Sequence, residues 1–185
     1  MQGSRIIVGV TGGIAAYKAA ALTSRLVQAG AEVSVVMTEA ATHLVAPATF
    51  AALSGRAVRT RLFDEHGQPH GAHIALAEEA ELMCVAPATA NFLAKAAHGI
   101  ADDLLSTLYL AFSGPVLVAP AMNTTMWNQP AVRRNVQQLQ DDGVHLIGPD
   151  SGWLSCRTTG VGRMADPEAI FAAIEQLRDQ REHPH

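Results

Sequence analysis

Two kinds of apolar pattern alternate along the chain. Short, continuously apolar runs rich in β-branched residues recur at 5–10, 33–37, 82–86, 116–119 and 144–147. Such runs suit strands buried on both faces, as in a parallel sheet. Between them lie stretches with helical spacing. Residues 14–29 are rich in Ala, carry Leu22, Leu26 and Val27 on one side, and are followed by Gly30, a residue favoured just past a helix end. Residues 91–97, 103–111 and 131–141 predict further helices, and Asp142-Gly143 predicts a turn. Pro167 opens a last helix to about Arg178, with Pro in the first turn. Residues 56–72 show no clear period and predict a loop with room for one short strand.

Strands alternating with helices predict a single α/β domain, a doubly wound parallel sheet with helices on both faces. A length of 185 residues suits one sizeable core. No internal repeat, low-complexity tract or interdomain linker stands out. Doubly wound sheets bind ligands at the carboxyl ends of their strands. Informative residues should therefore follow the apolar runs, at Thr11-Gly-Gly, Thr38, 87–91, 120–123 and after Gly148.

Composition adjusts this picture in three ways. Charged residues make up only 16% of the chain, against roughly 25% in a typical soluble domain, which favours some surface buried against other copies. The net charge is −4 with no Lys/Arg block, so neither nucleic acid nor an anionic membrane is expected as partner. No apolar run reaches the roughly 18 residues of a transmembrane helix, and the N-terminus runs directly into a strand-like segment without a secretory signal. With two Cys and no C-x-x-C pair, neither a disulfide framework nor a metal site is expected, and the compartment reads as cytoplasmic.

Each candidate motif has a structural and a functional reading. VTGGI at 10–14 is either a tight strand–helix turn or a phosphate cradle at a helix N-terminus, and it is neither the dinucleotide nor the P-loop string. Thr38 is a helix N-cap or a phosphate donor. Thr89 and Asn91, in PATAN at 87–91, cap a helix or meet a ligand, with Lys95 nearby. Asp102 and Asp103 read as a helix start, where the dipole favours acids. Ser106 and Thr107 lie inside that helix and are candidates to face a ligand. PAMNTTMW at 120–127 places Asn123 directly after a buried strand, as a cap or as a hydrogen-bond donor to a carboxylate, with Met122, Met126 and Trp127 as apolar walls. His73 is a surface or capping residue by default. Cys84 sits in a buried strand and reads as structural. Cys156 lies in a Gly-bearing segment, 151–164, without regular period, the composition of a mobile flap, where Arg157 and Arg163 offer positive charge.

Taken together, these strings resemble the homo-oligomeric flavin-containing cysteine decarboxylases, a family that includes phosphopantothenoylcysteine decarboxylase and the lantibiotic peptidyl-cysteine decarboxylases. The likeness spans roughly residues 5–178. PAMN with Met126-Trp127 matches the family's P-x-M-N-x-x-M-W string in full. PATAN at 87–91, ADDLLST at 101–107, and GPDSG at 148–152 leading to Cys156 and GVGRM at 160–164 resemble the phosphopantothenoylcysteine branch. The resemblance implies a Rossmann-like, flavodoxin-like fold, with residues 1–178 as an FMN-binding domain and 179–185 as a tail. By position it implies catalytic roles for His73, for Asn123 as carboxylate ligand and for Cys156 as proton donor. It places Gly12, Gly13, Ile14 and Thr38 at the phosphate end of FMN, and Thr89, Asn91, Ser106, Thr107, Ala121 and Met122 around the flavin.

The implied reaction is FMN-dependent oxidative decarboxylation of 4'-phosphopantothenoylcysteine to 4'-phosphopantetheine in coenzyme A biosynthesis, by a homotrimer or a multiple of it. Alternatives of the same fold are a peptidyl-cysteine decarboxylase, a flavin prenyltransferase and a non-catalytic regulatory subunit. His73, Asn123 and Cys156 together argue against the last. Two departures stand out. The family's clamp often reads Ala-Cys-Gly, whereas this chain has Ser155-Cys156-Arg157. Many bacterial members also continue into a synthetase domain.

Overall fold

A computed structural model describes residues 1–62 and 72–182, the side chains of residues 72, 73 and 182 excepted. The apolar runs form strands as expected. Strands β1 (Arg5–Val10), β2 (Glu32–Met37), β3 (Leu82–Ala88), β4 (Val116–Pro120) and β5 (His145–Leu146) make one parallel sheet in the order β2-β1-β3-β4-β5. The chain reverses its direction of winding between β1 and β3, the switch point at which this topology opens a crevice.

Each strand feeds two cores, because successive side chains leave opposite faces. Ile6, Val8 and Val10 of β1, with Leu82, Cys84 and Ala86 of β3, meet helices α1 (Ala16–Gln28), α3 (Pro47–Ser54) and α9 (Pro167–Glu182). Ile7, Met83 and Val85 meet α4 (Ala72–Glu79), α5 (Ala90–His98), α6 (Leu104–Ala111) and α8 (Pro130–Asp141) on the other face. This two-sided burial explains why the strands read as unbroken apolar runs. Leu22, Leu26, Leu105 and Leu108 are fully buried, and truncating any one to Ala costs about 2–5 kcal/mol. Gly9 lets α6 lie directly on the sheet, since a Cβ there would fall 2.7 Å from the Leu105 Cδ1.

The helices depart from the sequence pattern at particular points. The first begins at Ala16 rather than at 14, after a turn in which the Ala16 N–H donates to the Gly13 carbonyl at 2.9 Å. Helices α2 (Glu39–Thr42), α3 and α7 (Thr124–Trp127) carry no one-sided apolar stripe, and only Phe50 of α3 is buried, so no period announces them. The fifth strand shortens to two residues, and the described part of 56–72 contributes one bridge, Val36 to Arg59.

The largest correction concerns residues 151–164, expected as an irregular flap. They are part of an antiparallel hairpin of β6 (Asp150–Trp153) and β7 (Thr159–Arg163). Its strands are glycine-bearing and half exposed, so neither alternation nor an apolar run marks them. The glycines serve close packing. A Cβ on Gly162, whose φ is 145°, would collide with the Met122 carbonyl, and one on Gly160 would meet the Thr124 side chain. The hairpin is thereby laid flat against α7 and the loop before it, and the Met122 N–H donates to the Gly162 carbonyl at 2.9 Å.

Candidate active site

Gly12 to Ile14, Thr38, Thr89, Asn91 and Ala121 to Asn123 follow the carboxyl ends of β1 to β4. Thr11, buried after β1, ties two of these loops together. Its hydroxyl donates to the Pro87 carbonyl at 2.6 Å and accepts from the Thr89 N–H at 3.0 Å. Gly12 lies against Ala40 and Gly13 against Thr89 and Pro87, so both loops close on the β1–α1 turn. Thr38 caps α2 through a long bond from the Ala41 N–H, 3.4 Å, and Thr89 caps α5 through the Phe92 N–H. Asn91 is exposed in the first turn of α5. Helix α1 differs from these, for no side chain caps its N-terminus. Its first turn, with Ile14, instead lines a cleft of about 540 Å³.

That cleft joins Asn123 and Cys156. Ala121, Met122 and Asn123 approach from the end of β4, and Trp153 to Cys156 with Gly162 to Met164 approach from the hairpin. Asn123 caps α7, its Oδ1 accepting from the Met126 N–H at 2.8 Å. That bond assigns the amide orientation, because only oxygen accepts. The Nδ2 donors are left for a ligand, and the two readings of Asn123, cap and carboxylate donor, are compatible in one side chain. The Cys156 thiol is exposed, 3.1 Å from the Thr158 hydroxyl. Cys84, by contrast, is buried, and burial pushes its thiol up to about 12, which suits a structural role.

Ser106 and Thr107 stand apart from the cleft lining. Ser106 is buried in a capping box with Asp103, whose Oδ1 accepts from the Ser106 N–H at 2.8 Å. Thr107 donates to the Asp103 carbonyl. Both hydroxyls are thus engaged as donors, and the Ser106 Oγ also accepts from the Asp103 N–H at 3.1 Å, which leaves it one lone pair. Lys95 holds this corner, 2.6 Å from Asp102 and 2.7 Å from Asp103. Burial raises the Asp103 pKa, but hydrogen bonds from Lys95 and Ser106 outweigh it and set the net value below the ordinary carboxylate range. His73 belongs to the first turn of α4, and its side chain lies outside the described residues.

Sequence reasoning missed Tyr17, Lys18 and Trp153 as cleft residues. Tyr17 and Trp153 are more than 60% exposed, which for large aromatic rings at a concave surface marks a binding wall. Their signal in the sequence was weak, since each sits on the polar side of its own element. Among the described residues no three His, Cys, Asp or Glu side chains gather as metal ligands. His66 and His70 lie outside the described residues. No helix among the described residues is long and apolar enough to cross a membrane.

A doubly wound sheet with an uncapped helix N-terminus opening on its switch-point crevice defines a protein that binds an anionic ligand of nucleotide type. The chain belongs to the flavoprotein family, whose model matches residues 1–179. It is 49% identical over 176 residues to the coenzyme A biosynthesis bifunctional protein CoaBC of Bacillus subtilis (strain 168), covering 95% of this chain and 43% of that protein. The chain thus spans less than half the length of that relative. Among solved structures it is similar to the FMN-dependent cysteine decarboxylase SpaF, with TM-score 0.81, 38% identity and coverage of 95% and 97% of the two chains. It is also similar to a PPC decarboxylase mutant complexed with pantothenoylaminoethenethiol, with TM-score 0.85, 30% identity and coverage of 96% and 100%.

Proposed function

We propose that the chain is an FMN-dependent decarboxylase acting on 4'-phosphopantothenoylcysteine and yielding 4'-phosphopantetheine. The observation that carries the reading is the pairing of Asn123 and Cys156 across one cleft, beneath the uncapped first turn of α1. Relatives and structural neighbours named for coenzyme A biosynthesis and FMN-dependent cysteine decarboxylation support it.

The residues fit FMN. The bare N-terminus of α1, approached by two glycines, suits a phosphate, with Gly12, Gly13, Ile14 and Thr38 around it. Thr89, Asn91, Ser106, Thr107, Ala121 and Met122 would surround the flavin, Ser106 and Thr107 as acceptors. When bound, FMN supplies a temporary sink for two electrons, which lets a cysteine-derived carboxylate lose CO2 without a permanent redox change.

The protein's own groups bind, orient and move protons. Asn123 presents Nδ2 donors to the substrate carboxylate, held in place by the Met126 N–H. Cys156 donates a proton to the decarboxylated product, and its hairpin covers the substrate. His73 assists proton movement. Exposed Ile14, Tyr17 and Trp153, on the elements that form the cleft, suit burial against further copies, and a homotrimer or a multiple of it in the cytoplasm is the assembly proposed.

Incubating the FMN-loaded protein with 4'-phosphopantothenoylcysteine should release CO2 and form the cysteamine product. Absence of CO2 with that substrate, but release from a peptide ending in cysteine, would move the reading to a peptidyl-cysteine decarboxylase.

A further inference from the structure

Arg163 of β7 is a cation with unused hydrogen-bonding capacity. It lines the same cleft as Asn123 and Cys156. Its side chain lies across Gly152 of the facing strand, where an added Cβ would stand 3.0 Å from its Nε. That nitrogen is buried and finds no hydrogen-bond partner among the described residues. The terminal Nη2 is 3.8 Å from Asp166 and 4.0 Å from Asp150, beyond hydrogen-bond reach of either. A guanidinium carries five N–H donors, and leaving donors of a partly buried group unsatisfied costs free energy that an arriving acceptor recovers.

The surrounding charges decide which acceptor fits. The cations of the cleft wall are Lys18 and Arg163. Lys18 bonds Asp166 at 2.9 Å, and Arg163 faces both Asp166 and Asp150. Two cations are thus balanced by two carboxylates, so a further anion gains little net attraction there. A guanidinium drawn onto the substrate carboxylate would also stabilise the ground state against loss of CO2. A neutral oxygen meets neither objection. Position narrows the choice further. Arg163 follows Gly162, whose carbonyl accepts from the Met122 N–H at 2.9 Å, and Met122 precedes Asn123. Arg163 therefore enters the cleft next to the backbone bond that seats the carboxylate ligand. In an N-acylated cysteine the amide and the carboxylate branch from one α-carbon, so their oxygens lie close together.

We infer that Arg163 is a specificity residue, which donates to the carbonyl of the amide on the reacting cysteine while Asn123 holds the carboxylate. The assignment rests on the proposed function and deepens it. The site thereby selects an N-acylated cysteine over the free amino acid, whose ammonium offers no acceptor and sets a like charge beside Lys18 and Arg163.

The test compares 4'-phosphopantothenoylcysteine with an isostere in which an alkene replaces the amide next to the cysteine carboxylate, keeping the shape and losing the acceptor. CO2 release is measured on FMN-loaded wild type, R163M and R163K. Wild type should prefer the amide in kcat/KM. R163M should lower that preference by roughly tenfold or more, the scale of one hydrogen bond from a charged donor. Each ratio is taken on one variant, so damage to the hairpin or to carboxylate binding affects both substrates and cancels. R163K keeps the charge facing Asp150 and Asp166, and should lower the preference by roughly threefold, because an ammonium does not reproduce the guanidinium fork. It decides the matter if R163M fails to fold. An unaltered preference in R163M, or in R163K where R163M does not fold, would overturn the inference, as would equal kcat/KM for amide and alkene in wild type. Each of those results leaves the decarboxylase reading standing. Turnover of neither substrate by wild type would overturn both.

Discussion

Asn123→Asp separates the structural duty of this side chain from its chemical one. Asp caps a helix as well as Asn does, so the bond from the Met126 N–H, 2.8 Å in the native protein, should persist. A carboxylate at the start of α7 also suits the helix dipole, and unfolding free energy should move by less than about 0.5 kcal/mol. Asn123→Ala, in contrast, removes the cap and should cost about 1 kcal/mol. The chemistry reverses this ranking. Asp replaces two donors with a negative charge facing the substrate carboxylate. At about 4 Å that repulsion is roughly 1 kcal/mol in bulk water and roughly 4 kcal/mol at the effective dielectric of a partly enclosed site. The loss in kcat/KM should therefore fall between about fivefold, if the cleft stays water-filled, and about a thousandfold, if the hairpin closes it. Urea denaturation, flavin absorbance and steady-state CO2 release on both variants make the comparison. Near-normal kcat/KM in Asn123→Asp, or a loss of stability equal to that of Asn123→Ala, would refute the reasoning.

Three further outcomes are expected. Cys156→Ser should release CO2 in a single turnover but fail to complete the cysteamine product, because a hydroxyl is a far weaker acid than a thiol; unchanged multiple turnover by mass spectrometry would remove Cys156 from its role. Gly162→Ala should detach the hairpin from the Met122 carbonyl, at roughly 1–3 kcal/mol of local stability, seen as faster proteolysis within residues 150–163; unaltered protection would contradict the contact. For Asp103, whose folded pKa lies below its ordinary value of 3.8, the capping contribution is present above that value and fades as pH falls through the folded one. Lys95→Met should reduce that acid-limb slope in urea titrations between about pH 2 and 5, and an unchanged slope would show that Lys95 does not set it.

The parallel sheet was legible because β1, β3 and β4 are sandwiched between helix layers, and two-sided burial leaves an unbroken apolar run. The hairpin was not legible, because β6 and β7 bury little and their glycines are chosen for contact with Thr124 and Met122, which are remote in sequence. Asn123 and Cys156 were found by resemblance to the P-x-M-N-x-x-M-W and clamp strings. Their meeting in one cleft depends on the turn of the chain after β5, which no local pattern encodes. Ser106 illustrates the opposite limit. A polar residue inside an apolar helix invites a ligand reading, and its hydroxyl also bonds Asp103 within the same turn, a local pairing that the sequence pattern does not show. Tyr17 and Trp153 escaped because exposure of an aromatic ring is a property of the folded surface.

The bond between the Met122 N–H and the Gly162 carbonyl makes the hairpin a lever. Its fulcrum sits beside Asn123, and its arm is the four residues of β6, about 14 Å at the usual strand rise. Cys156 rides at the free end. A rotation of roughly 20° about the fulcrum would sweep the thiol through about 5 Å on an arm of that length, while Asn123 at the pivot would hardly move. Under the proposed function, the side chain that holds the carboxylate would thus be the stationary one, and the proton donor would be the one that travels.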